Sequence, residues 1–192
     1  MSNLLILYGT TDGHTAKIAA TLATTLREGG ATVTVRNATQ PDQVPPLRSF
    51  DGVVVAASIH VGSYQRAVTR WVRTHAQELN GIPSAFLSVC LGILEQRPAA
   101  QETVRATATR FLRRVGWEPR ETKTIAGALP YTRYNWFKKR IMKRIAARAG
   151  NHTDTTRDYE YTNWEDLRAF AAAFADQAAR RASGRALSGR LP

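Results

Sequence analysis

Three threonines, an aspartate, a histidine and two glycines crowd into Gly9-Thr10-Thr11-Asp12-Gly13-His14-Thr15. Hydroxyls at that density offer donors to an anion, and glycines let backbone N–H groups approach it closely. The apolar run Leu4-Leu5-Ile6-Leu7-Tyr8 precedes them, and a helical pattern carried by Ile18, Leu22 and Leu26 follows. The order is strand, loop, helix. At the helix start unpaired N–H groups and the helix dipole favour negative charge, so a phosphate is the natural occupant. Spacing narrows the choice. A dinucleotide fingerprint needs a third glycine that is missing here. A triphosphate loop needs four residues between its glycines and a following lysine; here three intervene and His14-Thr15 follows. One terminal phosphate on backbone donors and the hydroxyls of Thr10, Thr11 and Thr15 fits best. The alternative is an ordinary helix capped by Thr11 or Asp12.

Strands and helices alternate behind this loop. Strands are expected at 31–35, over the continuous apolar run 52–57, at 85–89 and at 122–126. Helices are expected with Val68, Trp71, Val72, His75 and Leu79 on one face, and with Val104, Ala108, Phe111, Leu112 and Val115 on another. The proline-rich stretch 40–48 replaces a helix. A last helix starts at Thr162, with Glu165 closing a capping box and Leu167, Phe170 and Phe174 facing inward. Five strands alternating with helices imply a doubly wound parallel sheet of the α/β class, with ligands beyond the carboxyl ends of its strands. Three loops qualify: the phosphate loop, Ser58-Ile59-His60-Val61-Gly62-Ser63-Tyr64, and Cys90-Leu91-Gly92-Ile93.

With 192 residues, 43% of them hydrophobic, the chain forms one domain over 1–182 with a loose tail at 183–192. The single cysteine, Cys90, excludes an internal disulfide and fits a reducing compartment. No leader pattern or membrane-length apolar run occurs, so a cytoplasmic or surface-attached protein is expected. His14, His60, His75 and His152 lack metal-ligand spacing, and no metal is expected. The net charge of +12 is concentrated: residues 129–153 hold seven bases and no acid, and four more bases follow Asp176. Elsewhere 16 bases face 15 acids.

An ordered set of motifs gives the chain a relationship. Thr11-Asp12-Gly13-His14-Thr15, Ala57-Ser58-Ile59, Pro83-Ser84-Ala85-Phe86-Leu87-Ser88-Val89, Ile125-Ala126-Gly127-Ala128-Leu129-Pro130-Tyr131 and Thr162-Asn163-Trp164-Glu165 resemble the flavodoxin-like family over residues 4–175. More closely, they resemble the flavodoxin-type, menaquinone-dependent protoporphyrinogen IX dehydrogenases of bacterial haem synthesis. The resemblance implies strand order 2-1-3-4-5 and FMN as cofactor. It puts the FMN phosphate on Thr10, Thr11, Asp12, Gly13, His14 and Thr15. The isoalloxazine would lie between Ser58, Ile59, His60, Val61 and Gly62 on one side and Ser88, Val89, Cys90, Leu91 and Gly92 on the other. Val61 stands where a flavin-stacking aromatic is expected, with Tyr64 as the available substitute, and Cys90 stands where asparagine is expected. Asp12 is expected to cap backbone N–H groups and point away from the phosphate. His60 either steers substrate or is an ordinary loop histidine. No side chain stands out as an indispensable acid or base.

The basic segment 129–153 is the second informative feature. At helical spacing Tyr134, Phe137, Ile141 and Ile145 fall opposite Lys139, Arg140, Lys143 and Arg144, with Trp136 among the bases. Such a helix suits an anionic membrane surface; a solvated basic face is the plainer alternative. Nucleic acid is disfavoured because the rest of the domain is nearly neutral. By resemblance this insertion meets protoporphyrinogen IX or the membrane through Tyr131, Arg133, Trp136, Lys139, Arg140, Lys143 and Arg144. The implied activity is FMN-dependent dehydrogenation of protoporphyrinogen IX with a quinone acceptor, on the inner face of the cell membrane. A flavodoxin-type electron carrier and an NAD(P)H:quinone reductase are the alternatives, and the carrier sits poorly with so basic a chain.

Overall fold

Residue alternation along the central strands dictates two cores, one on each face of a sheet. The computed structural model describes residues 1–133, 140, 143, 147 and 154–188. Its five-stranded sheet comprises β1 (Asn3–Gly9), β2 (Thr32–Asn37), β3 (Gly52–Ser58), β4 (Ser84–Val89) and β5 (Glu121–Ile125), ordered β2-β1-β3-β4-β5. All four pairings are parallel. The expected doubly wound order is therefore borne out. Leu4, Ile6, Val54, Ala56, Leu87 and Val89 point to one face, where α1 (His14–Glu28) and α5 (Trp164–Ser188) bring Ile18, Leu22, Leu26, Leu167, Phe170 and Phe174. Leu5, Leu7, Val53, Val55 and Phe86 point to the other, under α2 (Arg66–Thr74) and α4 (Pro98–Val115). There Val68, Trp71, Val72, Phe111 and Val115 complete the packing. Gly52 lets α5 approach the sheet closely, since a Cβ there would come within 3.1 Å of Phe174 and 3.2 Å of Ala178.

Three local expectations are corrected. The helix after β3 breaks at His75 into α2 and α3 (Ala76–Asn80), because the ring stacks on Trp71 and its Nδ1 lies 2.8 Å from the Trp71 carbonyl oxygen. The last helix is capped by Asn163, whose Oδ1 accepts from Asp166 N at 3.0 Å. Thr162, the expected cap, instead donates to the Ala126 carbonyl at 2.7 Å. That helix runs on to Ser188, past the expected start of a loose tail at 183, because Ala and Arg on either side outweigh the cost of Gly184. The proline-rich stretch forms two short 3-10 turns, Pro41–Gln43 and Leu47–Ser49. Beyond β5, β6 (Ala128–Leu129) pairs antiparallel with β7 (Tyr159–Glu160) and closes the base of the insertion.

Candidate functional site

The carboxyl ends of β1, β3 and β4 bring the three expected loops to one edge, with Gly9 beside Ala57 and Ser58 beside Val89 in register. The first loop ends in Gly13, which holds the left-handed region (φ 90°) and takes the N-cap position of α1, where it has no side chain with which to cap the helix. Thr11 and Asp12 therefore do not serve as the N-cap. Thr10 Oγ1 accepts from Gly13 N at 2.9 Å and folds the loop back on itself. Thr15 is buried at 1% exposure, directly behind the helix start. An uncapped α1, ringed by hydroxyls, leaves its first N–H groups to an anion.

His14 behaves differently from its expected place in the cradle. Its Nε2 lies 2.7 Å from Thr162 Oγ1, and its Nδ1 lies 3.8 Å from Glu160 Oε2. The Thr162 hydroxyl already donates its one hydrogen to Ala126, so Nε2 must be the donor to Thr162. Burial, opposed by Glu160 and aided by Lys17, holds the imidazole below its ordinary pKa of 6.5. The ring thus ties α1 to β7 and α5, while position 14 offers the phosphate its backbone. Burial would raise Glu160, but hydrogen bonds from Lys17 (2.6 Å) and Trp164 (2.8 Å), with the lysine and histidine charges, bring its carboxyl below the usual range. Lys17 Nζ also lies 5.0 Å over the Trp164 ring. The phosphate loop and the root of the insertion are one hydrogen-bonded unit.

Gln65, which sequence reasoning missed, joins the first loop to the second. Its Nε2 donates to Ser58 Oγ at 2.7 Å and to Thr11 Oγ1 at 3.2 Å. Its Oε1 is buried and finds no hydrogen-bond partner among the described residues. A Cβ on Gly9 would sit 3.1 Å from that oxygen and 2.4 Å from Val68 Cγ2, so only glycine fits the floor of the loop. No spacing rule singles out a glutamine between a loop and a helix, and this one is visible only once the loops meet.

The second loop is a two-residue hairpin. His60 N donates to Ser63 O at 2.8 Å and Ser63 N to His60 O at 3.1 Å, with Val61 (φ 48°) and Gly62 (φ 73°) at its tip. Positive φ at both central residues is the type I′ pattern, which favours Asn-Gly and strains a β-branched residue. Val61 is wholly exposed, its side chain carried into solvent. Tyr64 cannot take over the stacking role. It is buried at 6% exposure, 5.1 Å edge-on to Phe86 and 4.7 Å from Phe111, with its hydroxyl 2.7 Å from Ser88 Oγ. Burial pushes the Tyr64 phenol far above its ordinary range, more than the Ser88 hydrogen bond lowers it.

The third loop is likewise a backbone surface. Ser88 and Val89 are buried, so their side chains belong to the core and only their main chain reaches the edge. Cys90 Sγ accepts from Gly92 N at 3.2 Å and caps a 3-10 turn, Leu91–Leu94. Burial raises the thiol, outweighing the hydrogen bonds from Gly92 and Ile93, so Cys90 stays protonated and unreactive at neutral pH. Gly92 is packed closely: a Cβ there would lie 3.0 Å from Val104 Cγ2.

In the insertion, Tyr131 is fully buried with Leu129, against Leu91, Tyr159 and Tyr161, and meets Tyr159 edge-on at 6.2 Å. Packed in this way, it props up the β6–β7 base. Arg140 and Lys143 are exposed. Trp136, Lys139 and Arg144, and the side chain of Arg133, lie outside the described residues.

The family model for the flavodoxin domain matches residues 5–156. Protoporphyrinogen IX dehydrogenase [quinone] of Escherichia coli strain K12 is 39% identical over 167 residues, covering 87% of this chain and 91% of the relative. The protein of that name from Leishmania major is 35% identical over 173 residues, covering 89% and 74%. Among solved structures, a short-chain flavodoxin associated with a bacterial microcompartment has TM-score 0.55 at 15% identity, covering 93% of this chain and 99% of that one. Oxidised flavodoxin 1 from Bacillus cereus has TM-score 0.54 at 15% identity, covering 91% and 98%. The fold implies a flavin cofactor, and the donors at the start of α1, its backbone N–H groups and the hydroxyls of the loop before it, fit the phosphate end of such a group. The chain belongs to the flavodoxin-domain family and, within it, to the family of these quinone-dependent protoporphyrinogen IX dehydrogenases.

Proposed function

We propose that the protein dehydrogenates protoporphyrinogen IX to protoporphyrin IX, using bound FMN and a quinone acceptor. The observation that carries this reading is the start of α1, with glycine at its N-cap and threonine hydroxyls around it, at the same sheet edge as the β3 and β4 loops. FMN, once bound, supplies the two-electron redox chemistry. The residues of the chain bind and orient. The backbone from Gly13 to Thr15, with the hydroxyls of Thr10, Thr11 and Thr15, would hold the phosphate, and Gln65 fixes Thr11 against Ser58. The main chain of 58–62 and 88–92 would flank the ring. A flavin-stacking aromatic has no counterpart at Val61, so that side of the ring is open to substrate or acceptor. Protoporphyrinogen is an apolar macrocycle with two propionates, and the basic insertion rooted at β6–β7 offers it both aromatic and cationic groups. His14, Glu160 and Trp164 connect that root to the phosphate loop, so cofactor and substrate elements are held in one register.

The test is anaerobic incubation of the FMN-loaded protein with protoporphyrinogen and a water-soluble quinone. Porphyrin fluorescence should rise well above the spontaneous rate. A rate equal to that of flavin and quinone without protein would overturn the reading. A stable one-electron flavin state with delivery to a protein partner would favour an electron carrier, and rapid bleaching by NAD(P)H would favour a nicotinamide-dependent reductase.

A further inference from the structure

On the face of the sheet opposite α1, a groove of about 420 Å³ runs between α2 and α4 and meets the site described above only at its Gly62-Ser63-Tyr64 end. Arg66, Arg70 and Arg73 of α2 line one wall, and Arg110 and Arg114 of α4 line the other. The spacing i, i+4, i+7 puts the first three in a row about 10 Å long, facing a second row of two. All five are exposed, and none forms an ion pair with a described carboxylate. The residues outside the described set contain no Asp or Glu that could neutralise them. α2 itself has no acid, and the nearly buried Phe111 and Tyr64 form an apolar floor. Five guanidinium groups in two rows exceed what one phosphate can use; they match an array of anionic headgroups.

A second observation points the same way. The groove opens at Gly62-Ser63-Tyr64, the end of the hairpin whose tip is Val61. Val61 is a β-branched side chain wholly in solvent, on a backbone conformation that its own chemistry disfavours. Neither an acidic peptide nor a nucleic acid accounts for an apolar side chain held out at that cost. An anionic bilayer accounts for both features, offering phosphates to the arginines and an apolar margin to the valine. We propose that the α2–α4 arginine groove and the Val61 tip form the seat on which the protein rests on an anionic lipid bilayer. This deepens the functional reading above, because the hairpin flanking the flavin then faces the phase in which a lipid quinone resides. It also assigns membrane contact to a surface other than the basic insertion.

The experiment is co-flotation of the purified full chain with phosphatidylcholine vesicles, with and without phosphatidylglycerol. The parent should float only with the anionic vesicles. Each arginine near the surface contributes about fivefold to partitioning, so Arg66→Gln/Arg70→Gln/Arg110→Gln should lose about a hundredfold. A charge-matched control, Arg105→Gln/Arg113→Gln/Arg120→Gln, should stay near the parent. Thermal melts of both variants should match the parent, since every substituted side chain is exposed. Unchanged flotation of the groove variant, or an equal loss in the control, would overturn the seat. Displacement from vesicles by millimolar glycerol phosphate would overturn it too, by making the groove a site for one soluble anion. Turnover with a water-soluble quinone should persist in the groove variant. Failure of turnover in the parent would count against the functional reading alone, because flotation does not depend on activity.

Discussion

Replacing Val61 by asparagine isolates the strain at the hairpin tip. Val61 sits at φ 48° and Gly62 at φ 73°, the two positive values of a type I′ turn. A non-glycine residue held there costs on the order of 1 kcal/mol or more, and a β-branched side chain is among the poorest occupants. Asparagine tolerates the conformation, and Asn-Gly is the preferred pair for this turn. The valine side chain is wholly exposed, so its removal forfeits no core packing. The net expectation is a gain of about 1 kcal/mol. For a domain of this size that raises Tm by about 2–4 °C. In urea the midpoint should rise at unchanged slope, because the surface exposed on unfolding is the same. The same variant should float less well with anionic vesicles, having lost its apolar tip. A Tm equal to or below the parent's would refute the argument that the turn is strained, and with it the reason for regarding Val61 as a functional choice.

Other substitutions probe the floor, the root and the buried polar pair. Gly9→Ala places a Cβ 2.4 Å from Val68 Cγ2, an overpacking that should cost about 1–3 kcal/mol and weaken FMN retention; adding Val68→Ala should restore much of both in melts and flavin titrations. For His14, burial lowers the folded pKa below 6.5, so between the folded value and 6.5 the unfolded chain binds more protons. Stability is therefore complete above pH about 6.5 and falls on acidification, and Tm measured against pH should lose that component in His14→Gln. Ser88→Ala strands the buried Tyr64 hydroxyl and should cost about 1–3 kcal/mol, whereas the double change with Tyr64→Phe should cost less than the single one in chemical denaturation.

Much of the architecture was legible because it rests on local patterns. The run Gly52-Val53-Val54-Val55-Ala56-Ala57 announces a strand covered on both faces, and its side chains do divide between the two cores. The strand–loop–helix order at the start of the chain was legible from an apolar run, a cluster of glycines and hydroxyls and a helical pattern after it. Errors arose where two local signals overlap or where a partner is distant. Thr162 with Glu165 read as the cap of the last helix, but Ala126 draws the Thr162 hydroxyl away and Asn163 takes the capping role. Tyr64 looked available to a flavin until Phe86, Phe111 and Ser88 closed around it. The row Arg66, Arg70, Arg73 can be read from the sequence of α2, but its pairing with Arg110 and Arg114 exists only after β4 and α4 bring those helices side by side. Gln65 and Glu160 were missed for the same reason: each matters through contacts across dozens of residues or more.

The most direct test of the central claim is anaerobic mixing of FMN-loaded protein with protoporphyrinogen, followed by the absorbance of the bound flavin, with quinone added afterwards. The account predicts that protoporphyrinogen bleaches the flavin with concurrent porphyrin fluorescence, that quinone restores the absorbance, and that NAD(P)H does neither. A flavin that stays oxidised in the presence of protoporphyrinogen would contradict it.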